Sequence, residues 1–273
     1  MFPVLSCRLK RWRMRGLVTT VAVASMIAGE THAQAPSVVS LAAASNLVFA
    51  LESLKPALEN EHPEIDLHIT TGASGSLVAQ IRHGATFDVF LSADLFYPEA
   101  LIESGHAQAD SLFTFAHGVL CLWPAPSPAT PESIASFLTT SPRPRMALAN
   151  PDTAPFGRAA RTYLQAQALW TELEPAAILG ENVAQTFHFI RSGNAQTGFV
   201  SLSFLIAHPS DFPHHVITSA TADLAHGAVL LSRAQTNVAA QTVLAWLASP
   251  TAQELLATLG YKFPPTVTLD APP

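Results

Sequence analysis

Four times in this chain an apolar run of strand length breaks into a short turn with an uncharged polar end, and helical spacing follows. The first run, 38–43, gives way at Ser45-Asn46 to a segment with Leu47, Ala50, Leu51, Leu54 and Leu58 on one helical face. The second, 65–70, passes through Gly72-Ala73-Ser74-Gly75-Ser76 to Leu77, Val78 and Ile81. The third, 146–149, meets Asn150-Pro151 and then Ala154-Pro155-Phe156-Gly157; after Gly157 the spacing of Ala159, Ala160, Tyr163 and Leu164 is helical. The fourth, 177–179, turns at Gly180-Glu181-Asn182-Val183 and continues with Thr186, Phe187 and Ile190. The prolines force the third turn, because the residue before a proline is driven out of the helical region. Strands alternating with helices predict an α/β architecture with mostly parallel sheets.

Such junctions carry a chemistry of their own. The N–H groups of a first helical turn lack intrahelical partners and stand at the positive end of the macrodipole, so they attract anions. Taken singly, each junction is an ordinary connection. In open α/β sheets, however, ligands gather at the carboxyl ends of the strands. If the four ends converge, Ser45-Asn46, Ser74, Phe156-Gly157 and Asn182-Val183 build a pocket of N–H and O–H donors without Lys or Arg. Such a pocket suits a small, fully ionised oxyanion.

The rest of the chain supplies further strands at 87–92, 112–123, 198–202, 216–217 and 228–231, and helices at 93–104, 133–138, 238–247 and 252–259. Residues 1–35 are expected to stand outside the fold. Arg8, Lys10, Arg11, Arg13 and Arg15 precede an apolar stretch from Gly16 to Gly29, and small residues at Ala33 and Ala35 offer cleavage sites. This is the pattern of a secretory signal peptide, and it predicts export to the periplasm. The leader takes five of the 14 basic and one of the 20 acidic residues, leaving 9 and 19, a net charge of −10. That balance argues against nucleic acid or an anionic membrane as partner. Cys7 leaves with the leader, so Cys121, within the apolar run 119–123, is expected to be a buried core residue without a disulfide.

Rival chemistries are weak. Gly72-Ala73-Ser74-Gly75-Ser76 lacks the glycine two places after the serine that a nucleophile elbow needs. His208, His214 and His215 near Asp211 sit in a proline-punctuated loop without the helical i, i+4 pairing of metal ligands. An exported hydrolase using the Ser74 turn, or a metal-dependent enzyme using the His208–His215 loop, is the alternative reading. Glu181 reads as a helix-start carboxylate, and Arg158, one turn into its helix, as a surface residue rather than a ligand.

Beside this stands a resemblance. Ala42-Ala43-Ala44-Ser45-Asn46, Gly72 to Leu77 with Gln80-Ile81, and Gly84-Ala85 with Asp88-Val89-Phe90-Leu91-Ser92-Ala93-Asp94 come in order along the chain. Ala149-Asn150-Pro151 with Ala154-Pro155-Phe156-Gly157, Gly180-Glu181-Asn182-Val183 with Gln185, and Gly193-Asn194-Ala195 with Gly198-Phe199-Val200 follow. The ordered set spans most of the chain after the leader. It resembles the periplasmic molybdate-binding proteins, soluble receptors of ATP-driven molybdate importers.

The resemblance implies a type II periplasmic binding fold, two lobes joined by a two-crossing hinge, with lobe I at 36–115 and 217–273 and lobe II at 116–216. It implies a receptor and not an enzyme, a monomer that binds molybdate or tungstate without a cofactor and passes it to the membrane permease of an ABC importer. Ser45 and Ser74 would give hydroxyl and backbone donors, Asn46 its N–H, and Phe156 and Val183 backbone N–H groups. Some relatives carry a ligand-binding tyrosine where this chain has Ser201, so either Ser201 or the Asn46 side chain would supply the fifth contact. Phosphate, which keeps a proton near neutral pH and wants an acceptor, is expected to be rejected, as is sulfate for its shorter bonds. The Ser74 turn is expected to be exposed, so that Ser74→Asp abolishes binding while leaving folding nearly intact.

Overall fold

The computed structural model describes residues 36–218 and 224–263. The proposed leader, 1–35, lies outside the described residues, as do 219–223 and 264–273 of the lobe I assignment. The chain opens with β1 (Ser37–Ala44), a 3-10 turn at Ser45–Leu47, α1 (Val48–Glu61), β2 (Ile65–Gly72), α2 (Ser74–Arg82), β3 (Val89–Leu91), α3 (Phe96–Glu103) and β4 (Phe113–His117). It continues through β5 (Leu120–Trp123), α4 (Pro131–Thr139), β6 (Met146–Ala149), α5 (Pro155–Ala166), α6 (Trp170–Leu173), β7 (Ile178–Gly180), α7 (Val183–Arg191), β8 (Thr197–Ser201), α8 (Leu202–Ala207) and β9 (His215–Val216). β10 (Ala225–Leu230), α9 (Val238–Trp246) and α10 (Pro250–Thr258) close it.

Two five-stranded sheets result, ordered β2-β1-β3-β10-β4 and β7-β6-β8-β5-β9. Each defines one lobe of a type II periplasmic binding fold. The chain passes between them twice, from β4 to β5 and from β9 to β10. The crossings lie side by side, since Gly118 N–H donates to Leu224 O at 3.0 Å. β6 is buried along its whole length and β1 over Leu41–Ala44, because helices cover them. Cys121 lies unpaired and buried in β5, and desolvation pushes its thiol up to about 12, so it behaves as a core residue.

The sheets are mixed rather than mostly parallel. β1 pairs parallel with β2 and β3, and β6 with β7 and β8, but β10 runs antiparallel to β3 and β4, and β5 to β8 and β9. The antiparallel members are the strands that flank the crossings. A chain that enters the second lobe and returns cannot keep one strand direction throughout. The apolar stretch 112–123 thus divides between two sheets, and residues 202–207 leave β8 as a helix.

Candidate functional site

The four strand-to-helix junctions meet. One small cavity between the sheets is lined by Ala44, Ser45, Asn46, Gly72, Ala73, Ser74 and Ala93 from the first lobe and Ala154, Pro155, Phe156 and Val183 from the second. It encloses about 190 Å³ of atom-free space, below the usual range for drug-sized ligands. No Lys, Arg, His, Asp or Glu is among the lining residues. Five of the six expected residues, Ser45, Asn46, Ser74, Phe156 and Val183, therefore share one cavity.

Each junction has its own local cause. The helix α2 begins at Ser74, earlier than the glycine-rich turn suggests, so Ser74 is the first helical residue and not the cap; that position belongs to Ala73. Ser74 is fully buried, against the expectation of an exposed turn. Its Oγ accepts from Ala93 N–H at 3.2 Å, which orients the hydroxyl and leaves its proton free to donate elsewhere. The helix α5 begins two residues before Gly157, with Pro155 in the first turn, where its missing N–H costs nothing. Phe156 and Gly157 thus contribute first-turn N–H groups. A Cβ on Gly157 would stand 2.1 Å from Ala149 O, so only glycine lets this helix start so close to the end of β6.

The fourth junction isolates a single donor. Asn182 caps α7, its Oδ1 accepting from Ala184 N–H at 3.0 Å and Gln185 N–H at 3.1 Å. Thr186 N–H turns back to Asn182 O. Of the first-turn donors, Val183 N–H is left for the cavity. Glu181 is exposed at this helix start; its N–H accepts no role in the cavity and donates instead to Gln185 Oε1 at 2.6 Å.

Ser201 is not among the lining residues. It is buried at the end of β8, where its Oγ pairs with Ser203 Oγ at 2.8 Å. Ser203 Oγ donates to Asn46 O at 3.2 Å, so the serine reaches the cavity wall only through a neighbour. The histidine loop assembles no ligand set, for no group of three or more His, Cys, Asp or Glu side chains able to hold a metal occurs among the described residues. His208 instead meets Phe49 edge-on at 4.5 Å and stacks on Phe187.

Two features were hidden from sequence reasoning. The first is an edge where the lobes are tied together. Gly75 N–H donates to Thr153 O at 2.8 Å, and Tyr97 Oη to Asp152 O at 3.2 Å. Arg158 Nη2 reaches Asp94 Oδ2 at 2.7 Å, with its guanidinium over the rings of Phe96 and Tyr97 at 5.0 and 5.1 Å. Arg158 is thus a bridge between lobes, more than the surface residue its spacing suggests. Burial raises the Asp94 pKa, with Arg158 opposing the shift. The second feature is a neutral network behind Asn46. Its Nδ2 lies 2.6 Å from His226 Nε2 and donates to Tyr261 Oη at 3.0 Å, while Tyr261 Oη donates to Asn46 O at 2.8 Å. No spacing signal links Asn46 to residues 180 and 215 positions away.

Comparison with known proteins agrees with this architecture. The family model described as bacterial extracellular solute-binding protein matches residues 39–262. The molybdate-binding protein ModA of Rhodobacter capsulatus is 36% identical over 190 residues, 70% of this chain and 75% of that protein. ModA of Azotobacter vinelandii is 32% identical over 228 residues, 82% of this chain and 89% of its own length. The solved structure of the Azotobacter vinelandii periplasmic molybdate-binding protein superposes with a TM-score of 0.74 at 28% identity, covering 83% of this chain and 99% of that one. A periplasmic thiamin-binding protein, 13% identical, shares the fold with a TM-score of 0.65, over 82% of this chain and 81% of its own. The family is one of binding proteins, not enzymes, and the chain belongs to it: it is a bacterial extracellular solute-binding protein, related to the molybdate-binding ModA proteins.

Proposed function

We propose that the protein is an exported, periplasmic receptor that captures molybdate, and tungstate of the same charge and shape, between its two lobes and delivers it to the permease of an ABC importer. The lobes are taken as 36–115 with 217–273, and 116–216. Ser45 and Ser74 would donate hydroxyl and backbone hydrogen bonds and Asn46 its N–H, from the first lobe. Phe156 and Val183 would donate backbone N–H groups from the second. Ser201 would support Asn46 through Ser203 rather than touch the anion.

The observation that carries this reading is the single cavity lined from both lobes by those five residues and by no charged side chain. A dianion here is met by oriented neutral dipoles at helix starts. The two ModA relatives, at 32–36% identity over most of the chain, support molybdate as the ligand. Because donors come from both lobes, binding favours the closed arrangement.

Calorimetric titration tests this directly. Molybdate is expected to bind with a dissociation constant below about 1 μM, and excess sulfate to displace it poorly. No heat with molybdate or tungstate would sink the proposal; strong displacement by sulfate would sink the size argument.

A further inference from the structure

Asn46 lines the anion cavity, yet its side chain is not arranged as a donor. Both contacts of the amide use its nitrogen: Nδ2 faces His226 Nε2 at 2.6 Å and Tyr261 Oη at 3.0 Å. Oδ1 is the one buried side-chain polar atom without a partner among the described residues. A buried, unpaired acceptor is costly and calls for an explanation.

His226 supplies it. The ring is fully buried on β10, and its Nδ1 lies 2.6 Å from Leu224 O. A carbonyl only accepts, so Nδ1 carries the proton and Nε2 of the neutral ring must accept. The amide is thereby held nitrogen-inward. Turned over, its oxygen would face a lone pair on Nε2. Burial supports the neutral form, drawing the His226 pKa down to about 4. The groups facing the ring are Tyr261, with ring centroids 5.6 Å apart, the apolar rings of Phe115 and Phe156, and His117 of β4, whose charge opposes protonation. A Cβ on Gly118 would fall 2.5 Å from His226 Cε1, so the ring also packs against the crossing segment between β4 and β5.

We propose that His226 is the positioning residue of the anion site: its protonation state decides which end of the Asn46 amide faces the ligand, so that binding an oxyanion dianion takes up a proton. This rests on the oxyanion reading of the cavity. With His226 neutral, the free amide end is an oxygen, which a dianion repels. When Nε2 gains a proton from solvent, it donates to Oδ1 of the turned amide, and Nδ2 becomes free to donate to the anion. The buried imidazolium then supplies the positive charge that the lining residues lack. In the turned orientation Tyr261 Oη swings its one proton from Asn46 O to Oδ1, and Asn46 O keeps the donation from Ser203 Oγ. The bound-state pKa is thus raised above the free value, and affinity rises as pH falls through the window between the two.

The test is molybdate calorimetry at several values between pH 5 and 8, each in two buffers of different ionisation enthalpy, on the wild type, His226→Gln and Asp94→Asn. The wild type is expected to take up a proton, with the count climbing toward one as pH falls. His226→Gln is expected to abolish the uptake and flatten the pH profile, and Asp94→Asn to keep both. Nuclear magnetic resonance of the wild-type ring nitrogens provides a second readout that needs no variant: Nδ1-protonated and neutral when free, doubly protonated when bound. Molybdate binding with no buffer dependence, uptake that survives His226→Gln, or uptake lost only in Asp94→Asn would each overturn this inference alone. The absence of any molybdate binding would overturn the oxyanion reading together with it.

Discussion

The cavity has two unlike margins. At its outer edge the lobes are joined by charge: Asp94 and Arg158 pair across the gap, stacked on Phe96 and Tyr97. At its inner wall they are joined by neutral groups: Ser203 of α8 donates to Asn46 O, and Tyr261 and His226 hold the amide. The difference shows where charge is tolerated. An ion pair at the edge keeps partial contact with water and stays away from the ligand, whereas a fixed charge at the wall would bias the site toward one ligand charge. In the free protein the wall is therefore built from groups that are neutral, buried and dense with hydrogen bonds. Changes there should cost more than changes at the edge, and four predictions set that contrast to the test.

The largest effect is expected at Ser74. In Ser74→Asp a carboxylate about 4 Å from a dianion costs about 8 kcal/mol at an effective dielectric of about 20, before solvent relaxes it, so binding should be undetectable by calorimetry. Because Ser74 is fully buried, this variant will also lose stability, and its folded state must be checked by circular dichroism. Ser74→Ala is the cleaner variant. It removes one hydrogen bond to a charged group, about 1.5–3 kcal/mol, and should weaken molybdate ten- to a hundredfold. Normal binding by a folded Ser74→Ala protein would remove the hydroxyl from the site.

Next comes the acid limb of stability. The folded-state pKa of His226 is lowered from 6.5 to about 4, so the unfolded chain takes up a proton first as pH falls. The stability this histidine contributes is present above about pH 6.5 and drains away toward pH 4. At about 1.4 kcal/mol per unit the loss is about 3 kcal/mol. Denaturant melts of His226→Gln should lack this limb, and molybdate should blunt it in the wild type. An identical acid limb in both proteins would show that the inner wall is not the source.

Gly75 tests the outer edge sterically. A Cβ there would stand 2.4 Å from Tyr97 Oη and 2.9 Å from Thr153 O, and the second of these is backbone that cannot swing away. Gly75→Val should oppose closure by about 1–3 kcal/mol, as overpacking does. Affinity falls accordingly, and small-angle scattering should show a larger radius of gyration with molybdate than the wild type has. An unchanged bound radius would mean the edge is not closed by these contacts.

The smallest effect is expected for Asp94→Asn. Desolvation of the carboxylate offsets much of the ion pair, and burial already raises its pKa, so the exchange should change molybdate affinity by less than about 1 kcal/mol. The sign with pH is definite: a carboxyl whose pKa is raised on folding favours the native state at low pH and loses that contribution as pH rises through the folded value. A loss comparable to that of Ser74→Ala would reverse the ranking of edge and wall.

Much of this was legible beforehand because it is local. Strand runs, helical faces and capping residues are short-range patterns, and Ser45, Asn46, Ser74, Phe156 and Val183 stand where those patterns change period. The misreadings have equally physical causes. The helix α5 starts at Pro155 rather than after Gly157 because proline is favourable in a first turn, so periodicity marked the onset late. A glycine-rich turn suggests exposure at Ser74, but the residue begins α2 against Ala93 and is fully buried. For Ser201 the resemblance leaves the fifth contact open between its hydroxyl and the Asn46 side chain, and the hydroxyl is found paired with Ser203.

Order along the chain determined that the protein would be α/β, that its helix starts would offer neutral donors, and that an anion was the ligand to expect, for these depend on neighbouring residues only. Tertiary structure alone decided which donors face one cavity, how Arg158 meets Asp94, and how His226 meets Asn46 across 180 residues. Those outcomes depend on where two separately built sheets come to rest against each other, and on the burial that follows. Neither quantity is carried by any short stretch of sequence.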